Sequence, residues 1–373
     1  LTPKQEKIAG FYAKRIISEQ KGGVTIFLTK DTVFNKNFWD GFKKSLTPDQ
    51  KREMKDFKKI DFSDLVNKIE ASKEKEVDKK AKKIDTEERK KAYGYAVLDG
   101  VKEKVGGYAV EPAGIFMGRG NNPNRGKVKT EVMPKHVTIN VGKKDRVPVP
   151  PNGHKWKEVV HDHCAQWLAK WQDTITGEAK YIRFHAEGKF KGMSDLLKYE
   201  KARKLERHIE TVRAGYMADA ESSNKTKKQL GSVMYLIDRY GLRVGGDKDE
   251  DKEADTVGAS TLKVGNVKLD PPTHIVLDFL GKDSIQFYKR LEVPVSIYKN
   301  IAEFTKGKGD QARLFEQISA TDINKYLKTF DADFSAKVFR TRLASSNMAN
   351  GLASVKVSKT ATKEAIKLVF NRA

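Results

Sequence analysis

The sequence predicts an α+β protein built from more than one lobe, and three observations carry that prediction. Apolar residues recur at helical spacing in the opening segment and again beyond residue 194. Glycine, proline and two-residue alternation mark short strands between residues 92 and 185, and again between 261 and 293. The length, 373 residues, suffices for two or three units with cores of their own.

The elements follow in order. From Leu1 to about Lys59 the chain reads as helices and short connections, with Phe11, Ile16, Phe27, Phe34, Phe38 and Phe42 supplying a small aromatic core. Between Ser63 and Lys91 acids and lysines interleave, and Leu65, Ile69, Val77 and Ile84 are thinly spaced. That pattern predicts a long solvated helix held by ion pairs three and four residues apart. Within the β-rich region Trp167, Ala169 and Trp171 alternate on one strand. A turn follows at Thr174–Gly177, and Tyr181–Phe184 returns as the partner strand.

A helix is expected behind a Ser194 cap, with Leu197, Ala202, Leu205, Ile209, Val212 and Tyr216 on its apolar face. A second carries Leu230, Val233, Met234 and Ile237 and is expected to end near the glycines after Arg243. Strands are expected at Thr261–Leu269, His274–Phe279 and Ile285–Val293, then helices at Thr321–Thr329 and about Ser335–Ala344. There is no internal repeat.

Charge narrows the function classes. The formal net charge is +23, from 73 lysines and arginines against 50 acids, so the expected partner is a polyanion, nucleic acid first. No apolar run is long enough to span a bilayer and no amphipathic anchor stands out, so no membrane partner is expected. A single cysteine, Cys164, excludes an internal disulfide and a cysteine-rich zinc site, which fits a reducing cytosolic or nuclear setting. The chain starts at Leu1 and shows no signal peptide, and the expectation is a trimmed native N-terminus.

Three apparent ligand sites fail on spacing. Asp247, Asp249 and Asp251 match the first ligands of a calcium loop, but Lys252 stands where glycine is required and Gly258 where the bidentate glutamate belongs. His161-Asp162-His163-Cys164 has no second cluster to complete a zinc set and reads as surface or core histidines. Gly118-Arg119-Gly120 has Pro123 at the third glycine position of a dinucleotide fingerprint and no crossover after it. No metal and no cofactor are expected.

That glycine-bearing stretch, Glu111–Pro123, runs on into Arg125, Lys127 and Lys129. Its glycines let backbone approach a ligand while Arg119 reaches for a phosphate or a base edge. Three further cations stand apart from the charge runs. Lys282 sits in the tight turn of a predicted hairpin, Leu280-Gly281-Lys282-Asp283-Ser284-Ile285. Arg243 precedes Gly245 and Gly246 at a helix end, and Arg340 lies in Ala336–Thr341. Phosphodiester exchange needs such a trio. Fixed guanidinium groups stabilise the charge on the non-bridging oxygens of a pentavalent phosphorus, and an aimed ammonium protonates the leaving 5′ oxygen.

These residues, in this order, resemble the core of eukaryotic type IB DNA topoisomerases. The matches are Glu111–Gly120, Pro151–Trp156, Ala254–Gly258, Asp278–Ile285 and Ala336–Thr341, and they span most of the chain. The resemblance implies that Arg243 and Arg340 are catalytic arginines and Lys282 the general acid, with Arg119, Lys129 and Asp283 lining DNA at the cleavage point. It also implies the architecture of a multi-lobed clamp around duplex DNA. Residues 1–75 would form a cap lobe ending in the charged helix. Residues 76–190 would be a mixed α/β core subdomain, and 191–373 a mainly helical catalytic subdomain of the tyrosine recombinase type. A nuclear location follows from the same likeness.

In that family a histidine and then the nucleophilic tyrosine follow the second arginine. Neither residue occurs after Arg340 here, and Phe370–Ala373 resembles the segment just before the histidine. Met117 replaces a basic residue usual in the loop. The chain is therefore expected to bind DNA but not to cleave it alone. The tyrosine would lie on a lost C-terminal segment or on a second subunit of a heterodimer. A tyrosine recombinase-like enzyme and a non-catalytic DNA-binding scaffold are the alternatives.

Overall fold

A computed structural model describes residues 1–19, 28–74, 79–150, 153–246, 254–353, 355 and 361–372. They divide into two units, Leu1–Gly192 with Glu250–Ala254, and Met193–Asp249 with Asp255–Ala373. Phe27, Val77 and the Asp247/Asp249/Asp251 run lie outside the described residues.

The first unit opens with helices α1 (Pro3–Glu19), α2 (Thr32–Lys43), α3 (Pro48–Glu53), α4 (Ser63–Glu74) and α5 (Lys79–Tyr93). Local chemistry starts two of them. The Asp31 side chain accepts the Phe34 amide ahead of α2, and Thr47 with Gln50 forms a capping box ahead of Pro48. Their shared core is aromatic, as the sequence predicts for Ile16, Phe34, Phe38 and Phe42, while Phe11 is only half-buried. Its centre is Tyr12, stacked on Phe38 with centroids 4.4 Å apart and hydrogen-bonded to Asn35. The charged run is helical over Ser63–Glu74 and over Lys79–Tyr93.

The strands β1 (Tyr95–Leu98) and β2 (Val101–Lys104) form a hairpin, and β3 (Gly114–Ile115) pairs with β4 (Val128–Lys129). A four-stranded sheet follows from β5 (Thr138–Asn140), β6 (Glu158–Val160), β7 (Trp167–Gln172) and β8 (Ala179–Arg183), in the order β6-β5-β7-β8. The β7–β8 hairpin is the one the Trp-Ala-Trp alternation predicts, and Ala169 and Trp171 are buried.

Helix α6 (Lys189–Ala220) begins five residues before Ser194, so Ser194 lies inside it and does not cap it. It is followed by α7 (Lys225–Tyr240), the strands β9 (Val267–Asp270), β10 (His274–Leu280) and β11 (Gln286–Glu292), and helices α8 (Val295–Thr305), α9 (Ala320–Phe330), α10 (Ala336–Ala353) and α11 (Lys363–Arg372). The strands form an antiparallel sheet in the order β11-β10-β9. Thr261–Asn266 is not strand but two 3-10 turns, because the Asn266 side chain accepts the Lys263 amide and folds the segment back on itself. Helix α7 stops before Arg243, at Gly241, whose φ of 65° closes the helix in the left-handed conformation. Its approach to α6 is close: a Cβ on Gly231 would lie 2.3 Å from the Tyr216 carbonyl oxygen and 2.4 Å from the Ala220 amide nitrogen.

Leu205, Ile209, Val212 and Tyr216 of α6 share a core with Val233, Met234 and Ile237 of α7, Ile275 and Leu277 of β10, and Val338 and Phe339 of α10. Among the described residues no helix is long and apolar enough to cross a membrane.

Candidate active site and nucleic-acid interface

Arg243 leaves α7 two residues after the Gly241 cap, on an irregular stretch held by the segment after residue 254. The Ala259 amide donates to the Arg243 carbonyl at 2.7 Å, and the Ser260 amide and hydroxyl both donate to the Val244 carbonyl at 2.7 Å. The two backbones meet at glycines. A Cβ on Gly258 would lie 2.4 Å from the Gly245 Cα, and Gly245 itself has a φ of 85°. The same segment reaches the hairpin, since the Val257 amide donates to the Leu280 carbonyl at 2.7 Å.

The hairpin is the predicted one. Strands β10 and β11 pair from His274↔Glu292 to Leu280↔Gln286, and the turn is closed by the Gly281 amide donating to the Ile285 carbonyl at 2.8 Å. Within it Asp283 and Ser284 take left-handed backbone, φ 68° and 58°, uncommon for residues with a side chain. The Ser284 hydroxyl is buried without a hydrogen-bond partner. Lys282 and Asp283 are exposed.

Arg340 rises from α10. Its Nε donates to the Gly241 carbonyl at 2.8 Å, which anchors the guanidinium to the end of α7. Burial, together with the like charge of Arg243, lowers its pKa from the usual arginine value. Two guanidinium groups that repel one another across a shared space form a site preorganised for an anion.

The shared space is a cleft of about 500 Å³ lined by Arg243, Thr256, Gly258, Lys282, Lys337 and Arg340, with Asp283 also on its wall. A second hollow of about 220 Å³ shares Arg243, Lys282 and Arg340 and has Leu242, Phe279 and Phe287 as apolar lining. The three cations singled out from sequence therefore converge, although Arg243 and Arg340 are 97 residues apart by their numbers. Lys337, which the sequence reading passes over, joins them; its signal is the three-residue spacing to Arg340, which puts both on one side of a helix.

The remaining cations lie in the first unit, around the β3–β4 loop. The Phe116 amide donates to the Lys127 carbonyl and the Gly126 amide to the Phe116 carbonyl, both at 2.8 Å. Asn37 of α2 donates to the Pro123 and Arg125 carbonyls at 2.7 and 2.8 Å, and Gly126, with a φ of 91°, sits where a Cβ would be 2.2 Å from the Phe34 carbonyl oxygen. The loop is thus a rigid platform on α2.

Arg125, Lys127 and Lys129 are engaged by identified side chains. Arg125 Nε is 2.5 Å from Asp31 Oδ2, Lys127 Nζ donates to Asn124 Oδ1 at 2.6 Å, and Lys129 lies 2.9 Å from Glu111 and 3.7 Å from Asp173. Burial raises the Asp31 pKa, but the hydrogen bonds from Arg125 and the Phe34 amide outweigh it and leave it below the usual aspartate value. Arg119 and Met117 are exposed at the loop tip, where Gly118 and Gly120 take positive φ. His161, Asp162, His163 and Cys164 are all exposed. The His161 Nδ1 meets the Val141 carbonyl and the Asp162 carboxylate accepts the Cys164 amide. Among the described residues no group of three or more histidines, cysteines or acids is placed to hold a metal ion.

Residues 1–184 match the family model of the eukaryotic DNA topoisomerase I DNA-binding fragment, and residues 187–373 that of the eukaryotic DNA topoisomerase I catalytic core. The chain is 38% identical over 383 residues to DNA topoisomerase 1 of Drosophila melanogaster, covering 100% of this chain and 38% of that protein. It is 42% identical over 352 residues to DNA topoisomerase 1 beta of Arabidopsis thaliana, covering 92% and 37%. With DNA topoisomerase 1 of Schizosaccharomyces pombe it shares 41% over 382 residues, covering 100% and 45%. The chain spans less than half the length of these relatives. With these two family models matching residues 1–184 and 187–373, the chain belongs to the eukaryotic DNA topoisomerase I family.

Proposed function

We propose that this chain grips duplex DNA and supplies the cationic part of a type IB topoisomerase active site. Arg243 and Arg340 hold the non-bridging oxygens of the scissile phosphate as negative charge builds on them. Lys282, at the hairpin tip, gives a proton to the departing 5′ oxygen as its bond to phosphorus breaks, while a tyrosine oxygen, its own proton released to water, bonds to phosphorus, leaving a 3′-phosphotyrosyl link and a free 5′ hydroxyl. The broken strand turns about its partner, and the reverse step restores the phosphodiester. Bond energy is conserved through the link, so relaxation draws on the stress of the supercoil and not on ATP.

No tyrosine follows Arg340 in this chain, so the nucleophile is assigned to a part of the enzyme outside these 373 residues, on a further segment or a second subunit. The finer architecture belongs to the same reading: a cap lobe over residues 1–75, a core subdomain over 76–190 and a catalytic subdomain over 191–373, acting as a clamp. Arg119, Arg125, Lys127, Lys129 and Asp283 are assigned to the DNA path, Arg119 as the most exposed of the loop cations, Arg125, Lys127 and Lys129 as cations that exchange a protein partner for a phosphate, and Asp283 as an acceptor on the cleft wall. Activity of this kind belongs in the nucleus.

The convergence of Arg243, Lys282 and Arg340 on one cleft carries the proposal. The test is relaxation of supercoiled plasmid, without ATP or magnesium, by this chain combined with a tyrosine-bearing fragment of the family. Relaxation that disappears in Lys282→Ala and Arg340→Ala while duplex binding persists supports it. Unchanged turnover in both variants removes their assigned roles, and binding confined to one DNA sequence favours a recombinase.

A further inference from the structure

On the side of α10 opposite Arg340 lies a charge network centred on one buried carboxylate, which the proposed chemistry does not use. Asp238 of α7 has no exposed surface. Its carboxylate receives Arg213 Nε at 2.8 Å and the Tyr216 hydroxyl at 2.9 Å from α6, and lies 3.7 Å from an Arg342 nitrogen of α10, with Arg239 Nε at 4.0 Å. Arg342 is in turn bidentate to Glu206 of α6, Nε to Oε2 and Nη2 to Oε1. Glu210 supports Arg213 at 2.8 Å. The network thus ties α6, α7 and α10 together through charged hydrogen bonds centred on the buried Asp238, where leaving the carboxylate unpaired is costly.

Its placement relative to the cleft gives it a role. Arg340 and Arg342 stand two residues apart on α10, and at about 100° per residue they point to opposite sides of the helix. One side faces the cleft, and the other is fastened to Asp238 and Glu206. Three residues beyond Asp238, the end of α7 presents the Gly241 carbonyl that accepts Arg340 Nε, and two residues later the chain carries Arg243. A network that sets the rotation of α10 against the end of α7 also sets where the two guanidinium groups sit relative to each other. A misplacement of about 1 Å in such a pair is enough to slow a reaction by about 100-fold.

We propose that Arg342, acting through Asp238 and Glu206, is a positioning residue for Arg340. The inference rests on the assignment of Arg340 to the scissile phosphate, and the test separates the two. With this chain combined with a tyrosine-bearing fragment of the family, single-turnover cleavage of a duplex oligonucleotide is measured for Arg342→Gln, for Arg340→Ala and for the double variant. The expected result is cleavage slowed about 10-fold by Arg342→Gln in the parent and by less than about twofold in the Arg340→Ala background, with duplex binding held within about twofold. Equal slowing in the two backgrounds overturns the proposal, because a general loss of folded protein does not depend on whether Arg340 is present. Parental cleavage by Arg340→Ala overturns the active-site assignment instead, and the positioning role with it. Should Arg342→Gln fail to fold, Glu206→Gln completes the same cycle, since the Glu206 side chain is 51% exposed and its neutral amide keeps the shape.

Discussion

Arg340 is held by the protein itself: one guanidinium nitrogen is spent on the Gly241 carbonyl, and the residue lines the cleft beside Arg243. Lys282 is placed by backbone, at a turn whose next two residues are both left-handed. If its work is to protonate the leaving oxygen, Lys282→Ala should slow single-turnover cleavage by about 10²–10⁴-fold with binding nearly unchanged. A substrate with sulfur in place of the 5′ bridging oxygen, whose thiolate leaves without a proton, should recover most of that loss. Equal defects on both substrates would remove the general-acid role. Arg125 tells a different story at the same scale, since its pairing with Asp31 pins the β3–β4 loop to the start of α2. Arg125→Ala should destabilise the first unit by about 1–3 kcal/mol, measured by thermal unfolding, because it strands a partly buried carboxylate. Its identity as a basic residue in a basic loop was legible in the sequence. Its partner was not, because Asp31 lies 94 positions away and only folding brings them together.

Among the elements, hairpins and amphipathic helices were the most legible. The β7–β8 and β10–β11 pairs follow from two-residue alternation around a turn, and α7 from apolar residues at helical spacing, because those periods are set by backbone geometry alone. Boundaries were less so. Ser194 looked like a cap, but α6 starts at Lys189, and Thr261–Asn266 looked like strand until an asparagine side chain captured a backbone amide. The glycines mark where elements touch. Gly231→Ala should cost several kcal/mol, roughly the overpacking range or beyond, since the new methyl would meet backbone of α6 and not a movable side chain. Gly258→Ala should disturb the Arg243 stretch instead, lowering cleavage more than it lowers the midpoint of thermal unfolding. The reverse ranking would show that the Gly245–Gly258 contact serves stability alone.

For the molecule as a whole, charge works in two ways. Net charge of +23 predicts duplex binding that weakens by about 10³-fold or more between roughly 50 and 200 mM salt if about six phosphates are neutralised, a slope readable by fluorescence anisotropy. Weak salt dependence would contradict an electrostatic grip. Within the second unit, acids are held by bases. Arg342 lowers the Glu206 pKa, Lys204 lowers that of Asp331, Lys201 and Lys204 lower that of Asp333, and Lys225 with Lys308 brings Glu316 down to about 2. A carboxylate with a depressed pKa binds fewer protons folded than unfolded, so its stabilisation is present above the ordinary carboxylate range and is lost as pH falls through the lower, folded value. Stability should therefore drop between about pH 4.5 and 2. Charge-neutral variants such as Asp333→Asn should flatten that drop in an acid-unfolding series.

The sequence by itself determined the class of partner, the α+β character, the two hairpins and the three cations assigned to the proposed site, because charge, periodicity and turn chemistry are local properties of a chain. Only the tertiary structure decided that Arg243, Lys282 and Arg340 share one cleft, that Lys337 joins them, and that Arg342 is fastened to Asp238 and Glu206 behind them. Those facts depend on which residues distant in the chain are brought within a few ångströms. That is fixed by how α6, α7 and α10 pack and not by any spacing along the chain.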